Sequence, residues 1–180
     1  MGATFLGEQE QAKKMAKSVT DLSAKSIITA CKLAGYDVRY RAGAAYYKPI
    51  SDILPDDNTI KNIEIMINRA VKFFEEYGPV VEDGFTFSGG YTKTVSKGDG
   101  DFITADTMWD FKVLRSEPDK NHTLQLLMYY LMGKRSTNKN LHNTKRLGIF
   151  NPRLNKVYLL DVLDVQSEII DEVERDVICY

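Results

Sequence analysis

Gly98-Asp99-Gly100-Asp101-Phe102-Ile103-Thr104-Ala105-Asp106-Thr107-Met108-Trp109-Asp110-Phe111-Lys112-Val113 holds two short β-prone runs, Asp101 to Thr104 and Met108 to Val113, joined through Ala105-Asp106. β-branched and aromatic side chains favour strands in both runs, and the tight region between them returns the chain antiparallel. That pairing sets Asp101 beside Asp110. Two adjacent carboxylates repel, and a divalent cation between them is the ordinary compensation. Hard oxygen donors with no His or Cys nearby select Mg²⁺, with Mn²⁺ as a substitute. Lys112 shares a strand face with Asp110, because side chains alternate with a period of two. There it can orient or deprotonate a water, or stabilise negative charge growing on a phosphate oxygen. Phe111 faces the opposite side, toward the core, and leaves its backbone carbonyl as a further oxygen ligand.

Outward from this stretch the chain alternates helix and strand patterns. Upstream, Asn58 to Tyr77 carries Ile60, Ile63, Ile67, Ala70, Phe74 and Tyr77 on one helical stripe, and Gly78-Pro79 stops it. Val80 to Val113 then reads as an antiparallel meander with runs at Gly84 to Phe87, Tyr91 to Val95, Asp101 to Thr104 and Met108 to Val113. Downstream, a helix from about Lys120 to Gly133 is long enough to cross over between parallel strands. Strands at Lys145 to Phe150 and Lys156 to Leu160 follow, flanking the turn-like Asn151-Pro152-Arg153. The first clear helix has Asp21 as N-cap, runs from Leu22 to Ala34 and ends at Gly35, with an earlier polar helix at Glu8 to Lys17. Tyr36 to Tyr47 reads equally as strand or loop. The expectation is one mixed α/β domain over 1–180, with a core at about 58–160, an N-terminal helical extension at 1–57 and an acidic C-terminal helix within 161–180.

These residues resemble a known family. Asp101 followed by Asp110-Phe111-Lys112 is similar to the PD-(D/E)XK phosphodiesterase signature, and Gly98-x-x-Asp101 resembles the start of that signature in its RecB-like branch. Gln125-Leu126-Leu127-Met128-Tyr129, thirteen residues beyond the lysine, looks like the QxxxY motif of the same branch; Gln125 and Tyr129 at i and i+4 share one helix face. The resemblance implies a restriction-endonuclease-like core of helix, three-strand meander, helix and strand. It also implies a metal-dependent nuclease acting on DNA, with RNA left open. In it Asp101, Asp110, Lys112, Gln125 and Tyr129 are catalytic, and Mg²⁺ is held by Asp101, Asp110 and the Phe111 carbonyl. Some RecB-like members place a histidine on an upstream helix, whereas His122 and His142 both follow the lysine here. Others use a glutamate on the helix before the sheet, and Glu64 is the matching candidate. The iron–sulfur members need four cysteines, and this chain has two, Cys31 and Cys179.

Composition narrows the function classes. With 180 residues, 43% hydrophobic and 27% charged, the chain is of ordinary globular make-up and large enough to build a core without disulfides. Two cysteines outside any CxxC pair exclude a disulfide scaffold and a four-thiolate zinc site, and fit a reducing cytoplasm. No apolar run approaches a bilayer span and no basic-then-apolar leader opens the sequence, so no membrane association is expected.

A net charge of −1 argues against a strongly basic nucleic-acid coat protein, yet it is a cancellation. Residues 111–156 carry ten basic and two acidic side chains, and 157–180 carry one and seven. The basic run spans Lys134, Arg135, Lys139, Lys145, Arg146, Arg153 and Lys156. Its clustering predicts a phosphate-contacting surface on the side of the domain that holds the carboxylates. Tyr129, Lys134 and Arg135, with Lys93 and Lys97 just before the acidic stretch, are the nucleic-acid-binding candidates.

Each of these residues also has an ordinary structural reading. Asp101 and Asp110 would then be solvated loop-edge carboxylates, Lys112 a strand-pairing charge, and Gln125 and Tyr129 packing in an apolar helix. Glu64 would be a solvated helix glutamate, Lys93 and Lys97 surface charges, Asp99 a turn former and His122 a helix-start residue. Two alternatives to an autonomous nuclease follow. One is a nuclease-fold protein that binds nucleic acid or a protein without cutting. The other is a nuclease component activated by a helicase or recombination partner, docked through the acidic last helix.

Overall fold

A computed structural model describes residues 2–180 of the protein. The chain divides into two compact units, residues Met1–Asn68 and Arg69–Tyr180, and the division falls inside one long helix.

The first unit is helical: α1 (Gly2–Phe5), α2 (Gln9–Ser18), α3 (Ala24–Arg41), two 3₁₀ turns at Ala44–Tyr46 and Ile50–Asp52, and the opening of α4 (Asp57–Tyr77). The α3 N-cap is Ser23, whose hydroxyl accepts from the Ser26 N–H. Asp21 supports this start from outside the helix by accepting from the hydroxyls of Ser23 and Ser26, which hold its carboxyl down at about 2. Gly35 does not end α3. It is buried mid-helix where a β-carbon would collide with Ile53, so its role is close packing, and the helix continues through the ambiguous stretch to Arg41.

The second unit is a mixed α/β fold around one sheet of five strands in sequence order: β1 (Glu82–Thr86), β2 (Asp99–Ile103), β3 (Thr107–Phe111), β4 (Arg146–Asn151) and β5 (Lys156–Asp161). All neighbours are antiparallel except β3 and β4, which pair in parallel with Thr107 opposite Arg146 and Phe111 opposite Phe150. The crossover between them is α5 (Lys120–Arg135), as parallel pairing requires. Asp119 and His122 form a capping box at its start, which accounts for His122. Tyr91 to Val95 is not a strand. Tyr91 turns inward, its hydroxyl accepting from the Phe87 N–H and donating to the Gly98 carbonyl, and so closes the β1–β2 connection. The single acidic helix expected within 161–180 becomes α6 (Ser167–Glu172) continued by a π-helical turn, Val173–Ile178.

The strands bury opposite faces in two different cores. On one face Ile103, Met108, Leu147 and Ile149 meet Leu126, Leu127, Leu131 and Met132 of α5 together with Val173 and Ile178. On the other, Phe102, Trp109 and Phe150 enclose Phe73 near the C-terminal end of α4; the Phe73 and Phe150 rings stack at 4.3 Å. Trp109 is 1% exposed and its indole N–H donates to Thr104 Oγ1 at 3.0 Å. Opposite it on β4, Gly148 is in contact so close that a β-carbon would run into the indole ring.

Neither the ring nor the sheet backbone can move aside, so Gly148→Ala is expected to destabilise the protein by about 1–3 kcal/mol, the usual range for overpacking a core. Urea unfolding of the variant against the parent measures it.

Candidate active site

Asp110 sits on the central strand β3 with its side chain on the α5 face, flanked by the apolar Trp109 and Phe111 that point the other way. Its side chain is 8% exposed. The β2–β3 ladder pairs Phe102 with Trp109 and Ile103 with Met108, and the next step toward the strand ends brings Asp101 level with Asp110. Here a side chain takes over from the ladder: Asp101 Oδ2 accepts the Phe111 N–H at 2.7 Å.

Lys112 places its ammonium 3.0 Å from Asp110 Oδ2 and donates to Gln125 Oε1 at 3.1 Å. Gln125 in turn donates through Nε2 to the Tyr129 hydroxyl at 3.0 Å. The structure therefore brings Asp101, Asp110, Lys112, Gln125 and Tyr129 into one polar array linking the end of β3 to the middle of α5. Because the Tyr129 oxygen is accepting from Gln125, its own proton remains available to an incoming acceptor. Burial raises the Tyr129 pKa, and the charges of Asp110, Asp99 and Asp101 push it the same way, so the phenol stays protonated. Gly98 makes room for it: a β-carbon there would lie 3.3 Å from the Tyr129 ring.

Burial also raises the Asp110 pKa above its ordinary 3.8; Lys112 pulls it down, and Asp101 pushes it further up. Asp110 Oδ2 is a buried atom with no hydrogen-bond partner, since the nearby Lys112 ammonium is placed as an ion pair outside hydrogen-bond geometry. An oxygen in that state suits a cation. Among the described residues no group of three or more His, Cys, Asp or Glu converges as a ligand cage. A pair of aspartates is nonetheless the donor set Mg²⁺ ordinarily takes, with water filling the remaining positions.

Its Gly-Asp-Gly setting predicts a turn for Asp99. It belongs to β2 rather than to a turn and shares the face of Asp101, two residues along. Glu64 is exposed on α4 and lies in the first unit, whereas every other residue named for the site lies in the second. Phe111 packs edge-on against Phe150 at 5.2 Å, on the face away from the aspartates.

The basic run does not form a single patch. Arg146 pairs with Asp106 at 2.7 Å, and both Lys145 and Arg146 donate their N–H groups to the Asp106 carbonyl. This is the Thr107 end of β3, about 10 Å along the strand from Asp110 at 3.3 Å per residue. Lys134 and Arg135 lie about 14 Å or more along α5 from Gln125. Lys134 donates to the His142 carbonyl, and Arg135 pairs with Glu174 while lying 3.9 Å over the Tyr180 ring. The basic residues at the carboxylate end are Lys112 itself, Arg115, Lys120, Arg153 and Lys156, and Lys156 is paired with Glu117. Lys93 and Lys97 are exposed on the β1–β2 connection.

No protein-family model matches the sequence, and no curated protein or solved structure gives a significant match.

The raised Asp110 carboxyl has a direct consequence for stability. A group that holds its proton more tightly when folded stabilises the fold most at low pH and loses that contribution as pH rises through its folded value. Between pH 7.5 and pH 4.5 the wild type should therefore gain in unfolding midpoint relative to Asp110→Asn. At pH 7.5 without metal the variant should be equal or higher. Paired thermal melts across that range check both.

Proposed function

We propose that the protein is a metal-dependent phosphodiesterase that cleaves DNA, with the carboxylate end of β3 as its catalytic centre. The observation that carries this reading is the buried Oδ2 of Asp110, ion-paired with Lys112 and without a hydrogen bond, set beside Asp101. The order helix, meander, helix, strand, with its parallel β3–β4 pair, agrees with the restriction-endonuclease-like core that the sequence resemblance implies.

Asp101, Asp110 and the Phe111 carbonyl would hold Mg²⁺, or Mn²⁺ in its place. When bound, the ion supplies Lewis-acid polarisation of the phosphoryl oxygens. Everything else is done by the chain. Asp110 and Gln125 hold the Lys112 ammonium between them, so it presents its remaining protons to the attacking water and to negative charge growing on the phosphate. Gln125 fixes that lysine with one end of its amide and the Tyr129 oxygen with the other. The Tyr129 hydroxyl, kept protonated, donates to a non-bridging phosphate oxygen and orients the strand for in-line displacement. Basic side chains at the same end, Arg115, Lys120 and Arg153, serve flanking phosphates. Two free cysteines and a requirement for Mg²⁺ suit a cytoplasmic setting.

Incubating the protein with linear and circular, single- and double-stranded DNA in Mg²⁺ or Mn²⁺ tests the reading. Cleavage should vanish on adding a chelator and fall about 100-fold or more in Asp110→Asn and in Lys112→Ala, the scale for loss of a charge-stabilising group. Full activity in either variant contradicts the assignment. A folded wild type that binds DNA and never cuts it would instead make this a non-cleaving nuclease-fold binder.

A further inference from the structure

Aromatic side chains stand open to solvent in the first unit. Phe5 is 64% exposed, Tyr40 49% and Tyr46 73%. Phe5 and Tyr40 are stacked with ring centroids 6.4 Å apart and planes inclined by 16°, and the Arg39 guanidinium lies 5.8 Å over the Phe5 ring. Consecutive side chains of α3 thus meet one ring that remains largely open to solvent. The contact is built in at the backbone. Gly2 approaches the Tyr36 carbonyl so closely that no β-carbon fits, which seats α1 on α3 and fixes Phe5 beside Tyr40. Beyond α3, Gly43 at φ 91° bends the chain into the turn that carries Tyr46, and Lys48 follows.

Residues 51–68 of the first unit hold one basic and four acidic side chains, and residues 1–50, which carry the rings, hold eight and four. The four acids are engaged: Glu10 pairs with Lys13, Asp37 with Arg41, Glu8 accepts from the Tyr36 hydroxyl, and Asp21 braces the far end of α3. Among the described residues neither Arg39 nor Lys48 makes an ion pair. Arginines in a last helical turn complement the helix dipole, and that explains their sign. It does not explain three open rings, each carrying apolar area that a fold would otherwise bury.

Open aromatic faces beside cations are what stacked bases and their phosphates need. A duplex has its base faces occupied already, so the complementary ligand is unpaired. We infer that the C-terminal end of α3, together with Phe5 and the turn bearing Tyr46 and Lys48, is a binding surface for single-stranded nucleic acid. Bases stack on Tyr40, Phe5 and Tyr46, while Arg39 and Lys48 contact phosphates. The surface belongs to the first unit and operates whether or not the second unit cuts.

Fluorescence anisotropy with labelled dT20, using the full chain carrying Asp110→Asn so that no strand is cut, tests the proposal. dT20 should bind more tightly than a duplex of equal length. Tyr40→Ala and Phe5→Ala should each weaken binding at least fivefold with the circular dichroism spectrum retained, and Tyr46→Ala provides the same readout should either fail to fold. Arg39→Gln should reduce the slope of log K against log salt by about 0.7, one phosphate contact on a single strand. A parallel rU20 titration separates DNA from RNA as the preferred strand. Absence of dT20 binding, binding unchanged within twofold in the folded aromatic variants, or capture of anionic vesicles in preference to dT20 overturns it. Cleavage by the wild type is measured separately, so either result stands without the other.

Discussion

An aspartate on the middle strand of a sheet is an expensive place for a negative charge. Asp110 has a strand on either side of it, α5 above it and bulky rings on both sequence neighbours. Moving a carboxylate from water into such surroundings carries a penalty of several kcal/mol unless charge and hydrogen bonds make it good. Lys112 supplies part of the compensation, but it leaves Oδ2 without a hydrogen bond, and Asp101 beside it adds repulsion. A fold selected for stability alone would place an apolar residue there. The carboxylate pair, the lysine, the glutamine that holds the lysine and the tyrosine that holds the glutamine form one dependent series, and each member is positioned because Asp110 is where it is.

The topology makes that position available. β3 is antiparallel to β2 and parallel to β4, so the crossover helix must leave from the C-terminal end of β3 and return over the sheet. This sets the first turns of α5 above the end of the strand where Asp110 and Lys112 emerge. The aromatic cluster of Phe73, Phe102, Trp109 and Phe150 anchors the other face. With that face filled by rings in contact, the polar array can occupy the opposite face at the strand ends without opening the core.

Much of this was legible in the residues, for physical reasons that can be named. The crossover and the Asp101–Asp110 adjacency follow from periodicity and turn chemistry, and α4 begins and ends within a residue of its expected bounds, but its stripe is shifted at one point: Phe73 is buried at 4% while the expected Phe74 is 38% exposed. Gly35 is ambiguous in sequence because a glycine after an apolar stripe has two causes, a left-handed terminus and a close contact, and only packing against Ile53 distinguishes them. Tyr91 to Val95 has strand composition, but the Tyr91 hydroxyl finds its partners within its own loop. The basic run is contiguous in sequence and divided in space, since β4 carries the chain from Arg146, at the Thr107 end of β3, to Arg153 and Lys156 at the carboxylate end. Of the site itself, the lysine–glutamine–tyrosine relay was implied only as a shared face. Its continuity depends on side-chain reach, which spacing does not encode.

Calorimetric titration with Mn²⁺ at neutral pH bears most directly on the account, because it asks whether a cation completes the buried carboxylate pair. Binding at one site should be observed for the wild type and lost in both Asp110→Asn and Asp101→Asn. Protons should be released on binding as the pH is lowered toward the raised Asp110 value. No binding to the wild type at millimolar Mn²⁺, or the same binding in Asp110→Asn, would contradict it.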